Sequence, residues 1–160
     1  MTTTTTTNQG PLSTNRAVVQ RFIDEILNRG RFELIAELIH ADYRYYGPDG
    51  TELVGGDALA DLLRGFRTGF SDLEALVTTT IDQGDVVAIT MMLTGTHDGD
   101  FDGIAPTGAR LELPIAIFTR LVDGQIVEDR EYYDTGTMLA QLGISPTADL
   151  PGAGDHDGRG

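Results

Sequence analysis

The chain contains no cysteine and no lysine, and it carries little positive charge of any kind. Without cysteine there is no thiol nucleophile, disulfide or thiolate metal site, and without lysine there is no Schiff-base chemistry. The 11 basic residues are all arginine and stand against 25 acidic ones, for a formal net charge of −14. No basic patch remains for a phosphate backbone or an anionic membrane surface, so neither nucleic acid nor membrane is expected as a partner. Long apolar runs are also missing: nothing reaches the length of a membrane span, and no secretory apolar stretch follows Met1. A soluble, cytoplasmic protein is the expectation.

Several site signatures are absent as well. There is no Gly-x-Gly-x-x-Gly at a strand-to-helix junction and no Walker-type loop. Ser13, Ser71 and Ser145 are the only serines, and none sits in a nucleophile elbow. Asp98-Gly99-Asp100-Phe101-Asp102-Gly103 opens like a calcium loop, but Ala109 stands where the bidentate glutamate is required. His40, His97 and His156 lie too far apart for a local ligand set, so no metal site is expected.

What is present fits one domain. At 160 residues the chain is long enough for a single core. Residues 1–12, with their threonine run, read as a disordered leader, and residues 145–160, rich in Gly, Asp and Pro, as a disordered tail. The folded part is expected over 13–144. Val18, Val19, Phe22, Ile23, Ile26 and Leu27 recur at helical spacing, with Ser13, Thr14 or Asn15 as cap and Gly30 as stop. A second short helix is expected around Phe32–Ile39, then a short strand at Tyr43–Tyr46. A third helix, capped by Asp57, carries Leu59, Leu62, Leu63 and Phe66. Strands follow at Leu73–Asp82, Val86–His97, Arg110–Val122 and Gln125–Tyr133, the last two joined by an Asp123-Gly124 turn. This is an α+β pattern: about three helices over a long, strongly curved antiparallel or mixed sheet, a cone enclosing a pocket.

The last strand carries the chemistry. Alternation puts Asp129, Glu131 and Tyr133 on one face, and acidic groups are costly to bury unless they are bonded or used. The neighbouring strand offers an apolar face of Leu111, Leu113, Ile115, Ile117, Thr119 and Leu121. If that face walls the pocket, the Glu131 pKa rises toward neutrality, as an acid/base needs. Alternation alone leaves open an edge strand whose Asp129 and Glu131 face water; on the pocket reading, Glu131 and Asp129 are the candidate catalytic residues. Tyr45, His97, Tyr133 and Asp134 are candidate substrate contacts, although the spacing favours Asp134 as the cap of the helix beginning near Thr135, and His97 at a strand end is more often a packed residue.

The element order, with Phe70-Ser71-Asp72, Gly95-Thr96-His97-Asp98-Gly99, Phe101-Asp102-Gly103-Ile104-Ala105-Pro106-Thr107-Gly108, Val122-Asp123-Gly124-Gln125-Ile126-Val127-Glu128 and Gln141-Leu142-Gly143, resembles the SnoaL-like polyketide cyclases of the nuclear-transport-factor-2-like superfamily. The resemblance implies a conical barrel with a deep apolar pocket. It implies ring closure of an aromatic polyketide ester by intramolecular aldol condensation, without metal or cofactor. The acid/base position falls on Glu131, where the family usually has Asp. A pocket histidine of the cyclases falls on Ile117, which joins the candidate substrate contacts. Asp129 and Arg130 stand where the family often has His and Trp. The resemblance implies a small hydrophobic substrate and a homodimer or homotetramer. The same superfamily admits a non-catalytic binding or scaffold protein, a cofactor-free hydroxylase, or an epoxide hydrolase using an Asp/Arg pair.

Overall fold

The longest strand organises the molecule. In β5 (Arg110–Val122), Leu111, Leu113, Ile115, Thr119 and Leu121 are buried on one face, while their neighbours in sequence point outward. Strict alternation of this kind marks a sheet with one face on the core and one toward water. The computed structural model describes residues 13–144, and both expected disordered ends, 1–12 and 145–160, lie outside the described residues.

Six strands form one mixed sheet in the order β2-β1-β6-β5-β4-β3. They are β1 (Ile39–Tyr46), β2 (Glu52–Val54), β3 (Glu74–Gln83), β4 (Val86–Thr96), β5 and β6 (Gln125–Tyr132). Neighbours pair antiparallel except β1 and β6, which run parallel. The sheet is open, with β2 and β3 as its edges. Register irregularities interrupt β1, β3 and β6, as expected where long strands bend. The Asp123-Gly124 turn has φ of 49° and 78°, the doubly left-handed geometry of a two-residue hairpin.

Helices cover the buried face. Helix α1 (Thr14–Arg21) is capped by Ser13, whose hydroxyl accepts from the Arg16 amide at 3.1 Å. It widens into a π-helical turn over Phe22–Leu27, which buries Phe22, Ile23, Ile26 and Leu27. Helix α2 (Ile35–Leu38) is short, and α3 (Gly56–Gly69) buries Leu59, Ala60 and Leu63. Helix α4 (Thr135–Gln141) closes the domain. The Gln141 amide exchanges two 2.9 Å bonds with the backbone of Glu112, continuing along β5 the pairing that β6 abandons. Pro114, which has no N–H to offer, sits on β5 past the last β6 pair at Ala116.

Three local expectations change. The first strand begins at Ile39 rather than Tyr43, because Ile39 pairs with Ile126 and leaves the helical path there. Strand β2 was not expected, since Glu52–Val54 is too short to show a period. Asp57 is not a cap: Gly55 occupies that position with φ 88°, and Asp57 lies in the first turn, where its charge suits the helix dipole. Among the described residues no helix is long and apolar enough to cross a membrane.

The glycines of α3 divide by what surrounds them. A Cβ at Gly69 would lie 2.7 Å from the Phe101 Cβ, and one at Gly56 would lie 2.7 Å from the Ile35 Cγ2. At Gly65 nothing lies within 4 Å. Gly69→Ala should therefore lower stability by about 1–2 kcal/mol through overpacking. Gly65→Ala should raise it by roughly 0.5–1 kcal/mol, by restoring helix propensity. Urea denaturation of both variants gives the comparison, and equal shifts in the same direction would contradict it.

Candidate active site

The site is built on β6. Between the pairs Arg120↔Glu128 and Leu121↔Ile126 the strand holds one extra residue, Val127, as a bulge. Beyond it Asp129 and Glu131 point inward, facing Thr119 and Ile117 of β5 respectively. Arg130 points outward, where its guanidinium lies 4.2 Å over the ring of Tyr46 and pairs with Glu128. On the other side, the parallel strand β1 sets Tyr45 beside Asp129 and sends both Tyr43 and Tyr45 inward.

Asp129 is buried, and both of its oxygens are engaged. Tyr43 donates to Oδ2 at 2.8 Å, and Thr119 donates to Oδ1 at 2.6 Å. Burial raises its pKa, and the two hydroxyl donors work against that rise. Glu131 is poised differently. Burial pushes its pKa from 4.5 up to about 7, against a lowering hydrogen bond from the Tyr45 phenol and with a further push from the Asp129 charge. Only Oε2 receives that bond; Oε1 has no hydrogen-bond partner among the described residues. Tyr45 is held above its ordinary pKa by burial and by the Glu131 charge, so its phenol stays a donor. A Cβ at Gly47 would come within 3.1 Å of the Tyr45 hydroxyl, so the glycine leaves that phenol its place.

These groups surround an apolar cavity of about 50 Å³. Its walls include Phe22 and Ile23 from the α1 end, Leu62 and Phe66 from α3, and Ile117 from β5, with Asp129 and Glu131 as its carboxylates. A second, open recess of about 340 Å³ adjoins it and shares Leu62 and Phe66 as lining residues. Tyr133 lines that outer recess rather than the inner cavity, and burial raises its pKa to about 12.

The structure thus brings Glu131, Asp129, Tyr45 and Ile117 to one cavity and Tyr133 to its outer neighbour. It does not bring His97 or Asp134 there. His97 is fully buried behind Phe70, at 5.4 Å between ring centroids, with Nδ1 2.9 Å from the Thr107 hydroxyl. That contact ties down the 98–108 loop, and His97 is not among the cavity's lining residues. Asp134 is exposed and caps α4, accepting from the amides of Gly136 and Thr137, which keeps its carboxyl below the usual range. Asp98, the first residue of the calcium-like stretch, spends its carboxylate on the amide and hydroxyl of Ser71. Two residues were missed as specific partners. Thr119 could have been found as the one hydroxyl in a face of leucines and isoleucines. Tyr43 shares its strand face with Tyr45, and only the fold singles it out.

A curved mixed sheet with helices across its inner face, holding acids and phenols in an apolar cavity, defines a pocket protein of the nuclear-transport-factor-2-like class. The profile of the SnoaL-like polyketide cyclase family matches residues 17–142, and the chain belongs to that family. It is 30% identical over 135 residues to the aklanonic acid methyl ester cyclase DnrD of Streptomyces peucetius, covering 82% of this chain and 92% of the relative. It is 33% identical over 120 residues to the nogalonic acid methyl ester cyclase of Streptomyces nogalater, covering 72% and 88%. Among solved structures, a protein from Jannaschia sp. CCS1 assigned as a SnoaL-like polyketide cyclase superimposes with a TM-score of 0.78 at 25% identity, over 87% of this chain and 99% of that one.

Because the Glu131 pKa is raised on folding, the carboxyl binds its proton more tightly in the folded chain than in the unfolded one. Its stabilising contribution is complete below about 4.5 and is lost as pH rises through about 7. Glu131→Gln removes that loss, so above pH 7 the variant should gain roughly 3 kcal/mol over the wild type, relative to their difference in acid. Denaturation midpoints across pH read this directly, and parallel curves would refute it. Tyr45→Phe removes the bond that favours the carboxylate and should raise the Glu131 pKa further, as followed by carboxyl-carbon NMR titration.

Proposed function

We propose that this protein is a cofactor-independent cyclase that closes a ring of an uncharged polyketide ester by proton transfer at Glu131. The observation that carries this reading is the Glu131 carboxyl in an apolar cavity, with its pKa at about 7 and one oxygen free. A group poised near the working pH can both take and return a proton. Glu131 removes the proton from the carbon alpha to a carbonyl, and the resulting enolate forms the new carbon–carbon bond by attacking a second carbonyl. The alkoxide of that aldol step then takes the proton back from the Glu131 carboxylic acid. Tyr45 holds Oε2 so that Oε1 faces the substrate. Asp129, pinned by Tyr43 and Thr119, adds a fixed negative neighbour that favours the protonated form of Glu131.

The electrostatics favour an ester over a free acid. The inner cavity is lined by Asp129 and Glu131 and the outer recess by Asp49, Asp61 and Asp102, and neither has an arginine in its lining. A substrate carboxylate would meet like charge with no counter-ion, whereas a methyl ester meets none. The names of the relatives, methyl ester cyclases, support the same choice. Epoxide opening by an Asp/Arg pair finds no support here, since Arg130 stacks on Tyr46 outside and Arg120 is exposed. Ile117 in place of a second proton-transferring group favours one rival: a binding protein that shapes an intermediate which cyclises by itself. For self-association, the outer sheet face offers Phe118 and Tyr132, both exposed and set edge to face at 6.0 Å.

With aklanonic or nogalonic acid methyl ester as substrate, Glu131→Gln should lower turnover by about 10²–10⁴ while the fold is kept. Turnover unchanged in Glu131→Gln, yet lost when Ile117→Trp fills the cavity, would select the binding-protein reading.

A further inference from the structure

The inner cavity is too small for the substrate just proposed. Its volume of about 50 Å³ compares with roughly 150 Å³ for an engineered apolar cavity that holds a single benzene. Any ring-bearing molecule that reaches Glu131 must therefore extend beyond it. The outer recess, of about 340 Å³, is placed to receive the rest. Leu62 and Phe66, on successive turns of α3, line both spaces. The inward face of the last strand continues from one to the other: Glu131 lines the inner cavity, and Tyr133, two residues on, lines the recess.

Gly65 also lines the recess, and nothing in the protein explains it. Glycine is the poorest helix former after proline, and this one lies inside α3 with helical residues on either side. Gly56 and Gly69 of the same helix admit no Cβ without striking Ile35 or Phe101, whereas a Cβ at Gly65 meets nothing within 4 Å. Gly65 is exposed, and the room it leaves lies along the wall of the recess. Phe66, Phe101 and Tyr133 supply aromatic walls there, with Phe66 and Phe101 at 4.9 Å between centroids. Asp49 and Asp102 supply hydrogen-bond acceptors and no positive charge.

We infer that the recess is the outer half of the substrate site, taking the uncharged, hydroxyl-bearing aromatic rings remote from the reacting carbon, and that Gly65 sets the size of the ring system accepted. The inference rests on the proposed cyclase reading and adds a subsite and a specificity-determining position to it. Flat aromatic rings gain from stacking on such walls, and phenolic hydroxyls find carboxylate acceptors at the rim.

The test is titration of the wild type, Gly65→Ala and Gly65→Leu with danthron, an uncharged tricyclic dihydroxyquinone, followed by its visible absorbance and by calorimetry. Gly65→Leu should weaken the Kd by about tenfold or more, with Gly65→Ala between it and the wild type. Both variants should melt at or above the wild-type temperature, which separates lost binding from lost folding. Equal affinity in all three proteins overturns the inference, and so does absence of danthron binding by the wild type. Turnover retained in Glu131→Gln together with binding lost in Gly65→Leu would remove the acid/base assignment and leave the recess standing. The reverse pattern would remove the recess alone.

Discussion

One extra residue in one strand decides which way the acids point. Carried on from Leu121↔Ile126 without the bulge at Val127, the β5–β6 register would set Asp129 against Phe118 and Glu131 against Ala116. A slip of one residue sends every side chain to the opposite face. Both carboxylates would then lie outside with Phe118, and Glu128 and Arg130 would turn into the core. With the bulge, Ile126 and Asp129 are both buried although they stand an odd number of residues apart. Everything at the site follows: the Thr119 and Tyr43 bonds to Asp129, the Tyr45 bond to Glu131, and the desolvation that lifts the Glu131 pKa.

The two acids that face the cavity have unequal surroundings. Asp129 lies deeper with a donor on each oxygen, so its environment offsets part of the cost of burial. Glu131 has one donor and an isoleucine across the sheet, so its environment leaves the charge under-compensated. Neighbouring carboxylates whose surroundings push their pKa values differently are a recurring arrangement in acid/base sites. Here burial raises both carboxyls, and hydroxyl donors oppose the rise, two at Asp129 and one at Glu131.

Much of this was legible in the residues, and the limits have physical causes. The Asp123-Gly124 hairpin could be read because so few residues accept two left-handed positions in a row. The core face of β5 could be read because its alternation is unbroken from Leu111 to Leu121. That Asp129 and Glu131 share a face followed from their spacing, but which face is buried did not, and the bulge that turns them inward leaves no mark on Ile126-Val127-Glu128. The parallel pairing of β1 with β6 was also hidden, since no local pattern announces a partner far along the chain. The capping role favoured for Asp134 and the packed role weighed for His97 are the ones the fold gives them, because a histidine or an aspartate beside a strand end serves a loop or a helix end as readily as a ligand. The cavity's size was beyond sequence, because it depends on how Leu62 and Phe66 pack.

The parallel pairing of β1 and β6 has a kinetic side. The partners in the Tyr43–Asp129 and Tyr45–Glu131 bonds are 86 residues apart, while β3, β4, β5 and β6 pair through short local connections. Contacts between distant segments bear the largest loop-closure entropy and gain most from a chain already collapsed around a local meander. Of the contacts that hold the two acids, the phenol bonds from β1 are therefore the ones that require distant segments of the chain to meet, whereas the Thr119 bond to Asp129 lies within one hairpin.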